Sequence, residues 1–332
     1  MSKMNVPNQL TVARIILTPI FLAIFLSNIK FASISFNTSI KIIYILYYLC
    51  YLLLVRIFIK GRRKIKIIIS LLFLVLVVCW NNLITINIYD EIYFIDLPMG
   101  EATLIKSAFD RCNILIDTGE NQGDDLELFL KKKGIKRLDY IYITHSDSDH
   151  NGKLQMLIEN FKVKNVVLNK YDTITKRLVQ YTKYKNNLIM VKRGDIINYR
   201  DIYVKILLPD VDTKDTNNNS LVLYIKAFNS SLLLTGDIES SQESKLANLE
   251  KKIKVNFFKV PHHGSLTSST HNLLKVLEYD YAICMSGYKN IFGFPNKNVV
   301  KRYDKNKIYL TSEKNTIIFR KLSYKKELKY KI

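Results

Sequence analysis

Residues 87–332 read as an α+β domain, a two-sheet αβ/βα sandwich, with two or three transmembrane helices ahead of it in residues 1–86. Three observations predict this. Short runs rich in Ile, Tyr and Val alternate with helical stretches from Asn87 onward, which suits two sheets with helices outside. Residues 1–86 hold ten Lys/Arg and no Asp or Glu, whereas all 29 acidic residues lie from Asp90 on. The polar residues with chemical potential fall just after strands, where a rigid scaffold commonly presents catalytic groups.

The apolar segments come first. Residues 10–29 contain a single charge, Arg14, and residues 42–59 contain only Arg56. Residues 67–80 form a shorter run that extends toward Ile88. A membrane helix needs roughly 20 mostly apolar residues. The first two runs qualify; the third is marginal and reads otherwise as a buried strand or helix. A second long span directly after the first argues against a cleaved signal peptide. The basic cluster KGRRKIK at residues 60–66 belongs in the cytoplasm by the positive-inside rule. Three spans then give a multi-pass cell-membrane protein with its globular domain extracytoplasmic. If residues 67–86 do not span, that domain is cytoplasmic.

In the globular part, alternation predicts strands at 87–97, 102–107, 113–117 and 138–144. The helix at 125–133 closes at Gly134. A helix at 152–161 and a strand at 163–168 follow. Strands at 202–208, 221–227 and 231–234 precede a helix at 241–251, a strand at 255–260 and an apparent helix at 272–277 that His271 begins. Cys112 and Cys284, 172 positions apart, can pair or stay free, and no zinc-like cysteine spacing occurs.

Four of the five histidines fall in two strand-end motifs, THSDSDHNG at 144–152 and VPHHGS at 260–265. Around a tight turn, the spacing of His145, Asp147, Asp149 and His150 lets their side chains converge. Such a group repels itself or stays unsatisfied without a cation. Asp237, ending LLLTGD, and His262/His263 supply the same donor types at the same kind of position. Each piece alone suits a solvated turn or a structural histidine; together they predict a site for one or two divalent ions, Zn²⁺ or, with a larger oxygen share, Mn²⁺.

These residues carry a resemblance. HSDSDH is similar to the H-x-H-x-D-H signature of the metallo-β-lactamase superfamily, in the variant H-x-D-x-D-H. With LLLTGD and VPHHGS, it resembles the extracytoplasmic domain of the ComEC/Rec family of competence proteins. FIDLPMGEATLI at 94–105, NNNSLVL at 217–223, MSGYKN at 285–290 with GFP at 293–295, and the segments at 308–311 and 316–318 extend the likeness over residues 88–320. The resemblance implies a metallo-β-lactamase sandwich and a metal-dependent hydrolase. Asp149, His150 and Asp237 would be catalytic, and His145, Asp147, Asp149, His150, Asp237 and His262 or His263 would ligate metal. Asp149 would also orient the nucleophile. After the histidine pair, Ser265, Thr267, Ser268 and Ser269 are candidates to hydrogen-bond substrate phosphate, or read as an ordinary Ser/Thr loop.

Three departures matter. The opening segment lacks one glycine and the family's Gln, and Phe294 stands where the family often has His. No His lies between His150 and His262, so Asn219 or Ser220, weaker donors, falls in the region of the usual third ligand of the first metal. That half reads as under-coordinated, with one tight and one loose ion expected.

The net charge is +21, of which about +11 belongs to the globular part. Basic runs at 131–133, 251–254 and 297–307, near Tyr and Phe, suit a polyanion. The resemblance implies DNA as the partner and cleavage of its phosphodiester bonds during uptake, beside a separate channel or competence subunit. The rival readings are a non-catalytic DNA-binding accessory subunit and a hydrolase of small phosphodiesters. The chain is similar to the C-terminal part of such a protein, as a standalone relative, a truncated gene or half of a split system. Residues 4–20 resemble the first helix of phosphatidylglycerophosphate synthases, but no Asp precedes Asp90 to build that family's catalytic motif.

Overall fold

The computed structural model describes residues 87–180, 187–322 and 328–330. The expected membrane anchor at 1–86 lies outside them. Among the described residues, no helix is long and apolar enough to cross a membrane.

The chain builds one sheet, crosses to a second, and returns. The first sheet takes β1 (Tyr89–Ile95), β2 (Ala102–Lys106), β3 (Asn113–Ile116), β4 (Arg137–Ile143), β5 (Lys162–Asn169) and β6 (Leu188–Val191). The second takes β7 (Ile196–Tyr199), β8 (Ile202–Leu208), β9 (Val222–Ala227), β10 (Ser230–Leu234), β11 (Ile253–Lys259), β12 (Leu277–Cys284) and β13 (Ile308–Leu310). Then β14 (Ile317–Leu322) and β15 (Leu328–Tyr330) close on the first sheet, whose order is β15-β14-β1-β2-β3-β4-β5-β6. Pairing from β3 to β6 is parallel, as is pairing from β10 to β13.

Period-two alternation drives the packing, since successive strand side chains face opposite ways. Ile92 and Phe94, Ile114 and Ile116, Val204 and Ile206, Leu223 and Ile225, and Leu232 and Leu234 all enter one buried cluster between the sheets. The alternate residues of the second sheet, Val222, Leu233, Val255, Phe258 and Ala282, face outward into another cluster. Helices cover that face, as an αβ/βα sandwich requires. The helices are α1 (Asp125–Lys132), α2 (Ser148–Asn151), α3 (Leu154–Asn160), α4 (Thr173–Gln180), α5 (Ser240–Leu249), α6 (His271–Val276), α7 (Lys297–Val300) and α8 (Thr311–Lys314). Leu246 of α5, Leu273 of α6 and Val299 of α7 are buried contacts on the second sheet. Cys112 and Cys284 are both buried and free.

The fold also carries a pH-dependent cost. Burial pushes the Asp96 carboxyl, just after β1, up to about 6, and its Oδ1 has no hydrogen-bond partner. Such an acid holds its proton more tightly folded than unfolded, so stability falls as pH rises from about 4 to 6 and stays reduced above that. Asp96→Asn is expected to add about 1–2 kcal/mol at neutral pH, the shift being discounted for partial solvent access. Urea unfolding in neutral and acid buffer checks it: the gain should shrink as pH falls below about 6 and vanish near pH 3, below both pKa values.

Candidate metal centre

The loops that leave β4, β10, β11 and β12 build the centre. The segment after β4 differs from the expected tight turn. Residues Ser148–Asn151 form a helical turn, α2, so Asp149 and His150 project from consecutive positions of a fixed backbone. The strand end before it is clamped to Asp117: the Thr144 N–H donates to Oδ1 at 2.7 Å and its hydroxyl to Oδ2 at 2.8 Å. Gly100, at φ +76°, lies so close to this turn that a Cβ would come within 1.9 Å of the Asp149 carbonyl oxygen. After β11, His262 and His263 both take positive φ, 47° and 51°, uncommon for residues with a side chain. The kink sends their rings to different places: His263 is buried and points inward, whereas His262 stays partly exposed.

Five predicted ligands meet here. His263 Nε2 lies 3.1 Å from Asp237 Oδ2 and 3.2 Å from Asp149 Oδ2. His150 Nε2 lies 3.3 Å from Asp237 Oδ2 and 3.3 Å from His263 Nε2. His145, Asp149 and His150 form an overlapping group of their own. The far ring nitrogens are held outside: His150 Nδ1–H donates to Asp117 Oδ2 at 2.9 Å, and His263 Nδ1–H to the Met285 carbonyl at 2.6 Å. A carbonyl oxygen only accepts, and an ionised carboxylate likewise, so both Nδ1 atoms carry the proton. The two Nε2 lone pairs then confront each other and the carboxylates across one volume. Either a cation within that volume or protons on the two Nε2 atoms would relieve the repulsion.

Without a metal, the carboxylates favour protons on both inner Nε2 atoms, the place a cation would take. Burial opposes a charge on His263, but Asp237, Asp149 and Glu101 outweigh it and lift its pKa to about 10. Burial also opposes a charge on His150, which Asp237, Asp149 and Asp117 lift well above the ordinary range. Burial pushes Asp149 and Asp237 upward, yet the imidazoles, with Lys259 beside Asp237, hold both below the usual carboxylate range.

Sequence reasoning missed Glu101, Lys259 and Asp117. Lys259 Nζ is buried, 2.8 Å from Glu101 Oε2, 3.0 Å from Asp237 Oδ1 and 2.7 Å from the Gly236 carbonyl. Glu101 joins His150, Asp237 and His263 in the inner donor group. With both imidazoles neutral, as metal ligands must be, Glu101, Asp149 and Asp237 outnumber Lys259 by two negative charges, which one divalent cation would neutralise. Outer hydrogen bonds fix the imidazoles as metal sites require, the donors mix nitrogen with oxygen, and the buried His145 Nε2 has no hydrogen-bond partner. The residues fit a divalent cation. When bound, such an ion polarises a phosphoryl oxygen and acidifies water.

The remaining predicted residues spread out. Asp147 Oδ2 is 3.7 Å from His145 Nε2, with 41% of the Asp147 side chain exposed, and belongs to neither donor group. His262 Nε2 lies 3.9 Å from Asp237 Oδ2, and its Nδ1 lies 3.4 Å from Glu239 and 3.3 Å from the Thr267 hydroxyl. Ser265 and Thr267 hydrogen-bond to each other at 3.0 Å beside that ring. Ser268 needs correction as a substrate-binding residue: it is fully buried, and its hydroxyl donates to the Pro261 carbonyl at 2.8 Å. Between the two residues in the region of the missing ligand, Ser220 faces the site. Its Oγ lies 3.3 Å from His145 Nδ1 and accepts from the Asp237 N–H at 2.9 Å. Asn219 turns away, toward Asp212 and Thr213.

Residues 96–287 match the metallo-beta-lactamase superfamily. This chain belongs to that superfamily. It is 31% identical over 254 residues to ComE operon protein 3 of Bacillus subtilis (strain 168), covering 69% of this chain and 33% of that protein. It is 32% identical over 231 residues to Recombination protein 2 of Haemophilus influenzae, covering 68% and 27%. It is 28% identical over 217 residues to Competence protein ComA of Neisseria gonorrhoeae, covering 62% and 28%. These relatives are competence proteins of the ComEC/Rec type. The superfamily chain described here spans about a third of their length or less.

Proposed function

We propose that this chain is a membrane-anchored, metal-dependent phosphodiesterase that cleaves DNA during DNA uptake, with residues 87–332 as its extracytoplasmic hydrolase domain. The observation that carries the reading is the convergence of His150, His263, Asp149 and Asp237 on one volume, with both imidazoles oriented from outside. Asp149, 31% exposed, reaches toward solvent and would orient the attacking water. His150 and Asp237, fully or nearly buried, would hold the cation. The hydroxyls of Ser265 and Thr267 would meet substrate phosphate beside His262. The +11 surplus of the globular part favours a polyanionic substrate, and competence relatives with longer chains suit a separate channel subunit.

The test is cleavage of end-labelled DNA by the full-length chain with Mn²⁺ or Zn²⁺. Cleavage should stop with chelator and return when metal is restored; protease added to intact cells tests the outward placement. A second reading, a DNA-binding accessory subunit, is favoured by one observation: Ser220, not a third imidazole, lies beside His145 in the region of the expected third ligand. DNA that is bound but left intact with both metals would select that reading.

A further inference from the structure

The loop after β12 carries apolar surface that the metal centre does not use. Ile291 is 79% exposed and Phe292 64%. Asn290 ties the loop down, its Oδ1 accepting from the Phe292 N–H at 2.9 Å and the Phe294 N–H at 3.2 Å. The rings form a column. Phe292 stacks on Phe294 with centroids 5.9 Å apart and planes 28° apart. Phe294 continues onto His263 at 6.2 Å and 22°, and approaches His262 at 5.8 Å. A solvent-facing ring therefore connects through one partner to an imidazole whose Nε2 faces the cation volume. Leu266, 57% exposed, lies on the loop after the histidine pair, and Lys289 Nζ sits 5.9 Å from the Tyr288 ring centroid.

We propose that Phe292 and Phe294 form a stacking platform for an unpaired nucleobase at the mouth of the metal centre, so that the site takes single-stranded DNA or a frayed strand end over closed duplex. This rests on the phosphodiesterase reading above. Inside a duplex each base spends its faces on its neighbours; an unpaired base offers a free face to an aromatic ring, whatever its sequence. The near-parallel planes leave such a face on Phe292. A lipid-inserting loop would also expose Ile291 and Phe292, but nothing in that role calls for rings stacked in register with a metal-site histidine. A nucleotide gains from that register, because stacking fixes where its phosphate lies relative to His263 and Asp149.

The experiment measures kcat and KM of the full-length chain with Mn²⁺ on single-stranded and blunt duplex oligonucleotides. Phe292→Ala should raise KM for the single strand about tenfold with kcat changed less than about twofold, the loss of one base–aromatic stack. Phe292→Trp should restore it, and Ile196→Ala, an exposed apolar residue on β7, should behave as wild type. An unchanged KM in Phe292→Ala overturns the platform. So does an equal loss on blunt duplex. Unchanged KM, with Phe292→Trp adding emission that brominated phosphatidylglycerol vesicles quench, would assign the loop to lipid instead. Should the wild-type chain cleave no DNA, the phosphodiesterase reading falls, and 2-aminopurine at a strand end decides the platform separately. Quenching by wild type but not by Phe292→Ala supports it; no difference overturns it.

Discussion

Lys259→Met lowers the stability of the metal-free chain by about 3–5 kcal/mol, the cost of breaking a buried ion pair from one side. Methionine matches the length of the lysine stem, so the interior volume is nearly kept and the charge is what changes. Lys259 Nζ touches both Glu101 and Asp237 at no more than 3.0 Å, and all three groups are buried. Burial already pushes the Glu101 carboxyl upward, with Lys259 the main influence drawing it back. Without the ammonium, two carboxylates face each other in a site that already carries Asp149. For a domain of this size the loss shifts the melting temperature by about 10 °C. Adding Glu101→Gln removes one of the orphaned charges, so the double variant should recover much of the loss. Urea unfolding of the four members of the cycle measures the coupling, and a coupling near zero would show that Lys259 acts through packing alone.

How these residues stayed hidden is physically plain. Lys259 shares the inner face of β11 with Phe257, two residues earlier, yet a lysine in a strand normally reads as solvent-facing. Its role appears only when Glu101, 158 positions away in sequence, meets it across the two sheets. Glu101 itself precedes the fully buried strand Ala102–Lys106, a signal that an acid enters the interior. Asp117 read as part of a turn because its partners, Thr144 and His150, come from another loop. By contrast, the ligand motifs were legible because THSDSDHNG and VPHHGS concentrate rare histidines after strands. The inter-sheet core was legible from alternation in β1, β3, β9 and β10. Strand β12 escaped because Glu278 and Asp280 interrupt its apolar pattern, and because it begins at Leu277, directly where α6 ends. The helix α4 escaped for a related reason: Thr173–Gln180 buries only Thr175 and Val179 of a mostly polar stretch.

The largest effect on activity is expected at Asp149. Its Oδ2 lies 3.2 Å from His263 Nε2 and 3.8 Å from His150 Nε2, and the backbone carbonyl above it accepts from the Glu101 N–H at 3.2 Å. The turn is thereby fixed to the segment that enters β2 of the same sheet, while the side chain alone changes. Asp149→Asn keeps that shape and removes the negative charge that, in the proposed reaction, would hold a cation and orient water. Loss of a positioned proton acceptor alone costs about 10²- to 10⁴-fold in kcat, and weaker cation retention adds to it. Asp147→Asn should cost far less, about tenfold, the lower end of what a supporting group contributes to a metal site. Asp147 is 41% exposed and lies 3.7 Å from His145, with Thr216 also hydrogen-bonding its carboxylate. Phosphodiester turnover measured beside metal content, by mass spectrometry of the dialysed full-length chain, separates the two contributions. A large Asp149 loss with one ion still retained assigns that residue to the water. Equal losses at Asp147 and Asp149, with both ions gone, would instead make the His145 side an equal half of the centre, against the two-charge balance of Glu101, Asp149, Asp237 and Lys259.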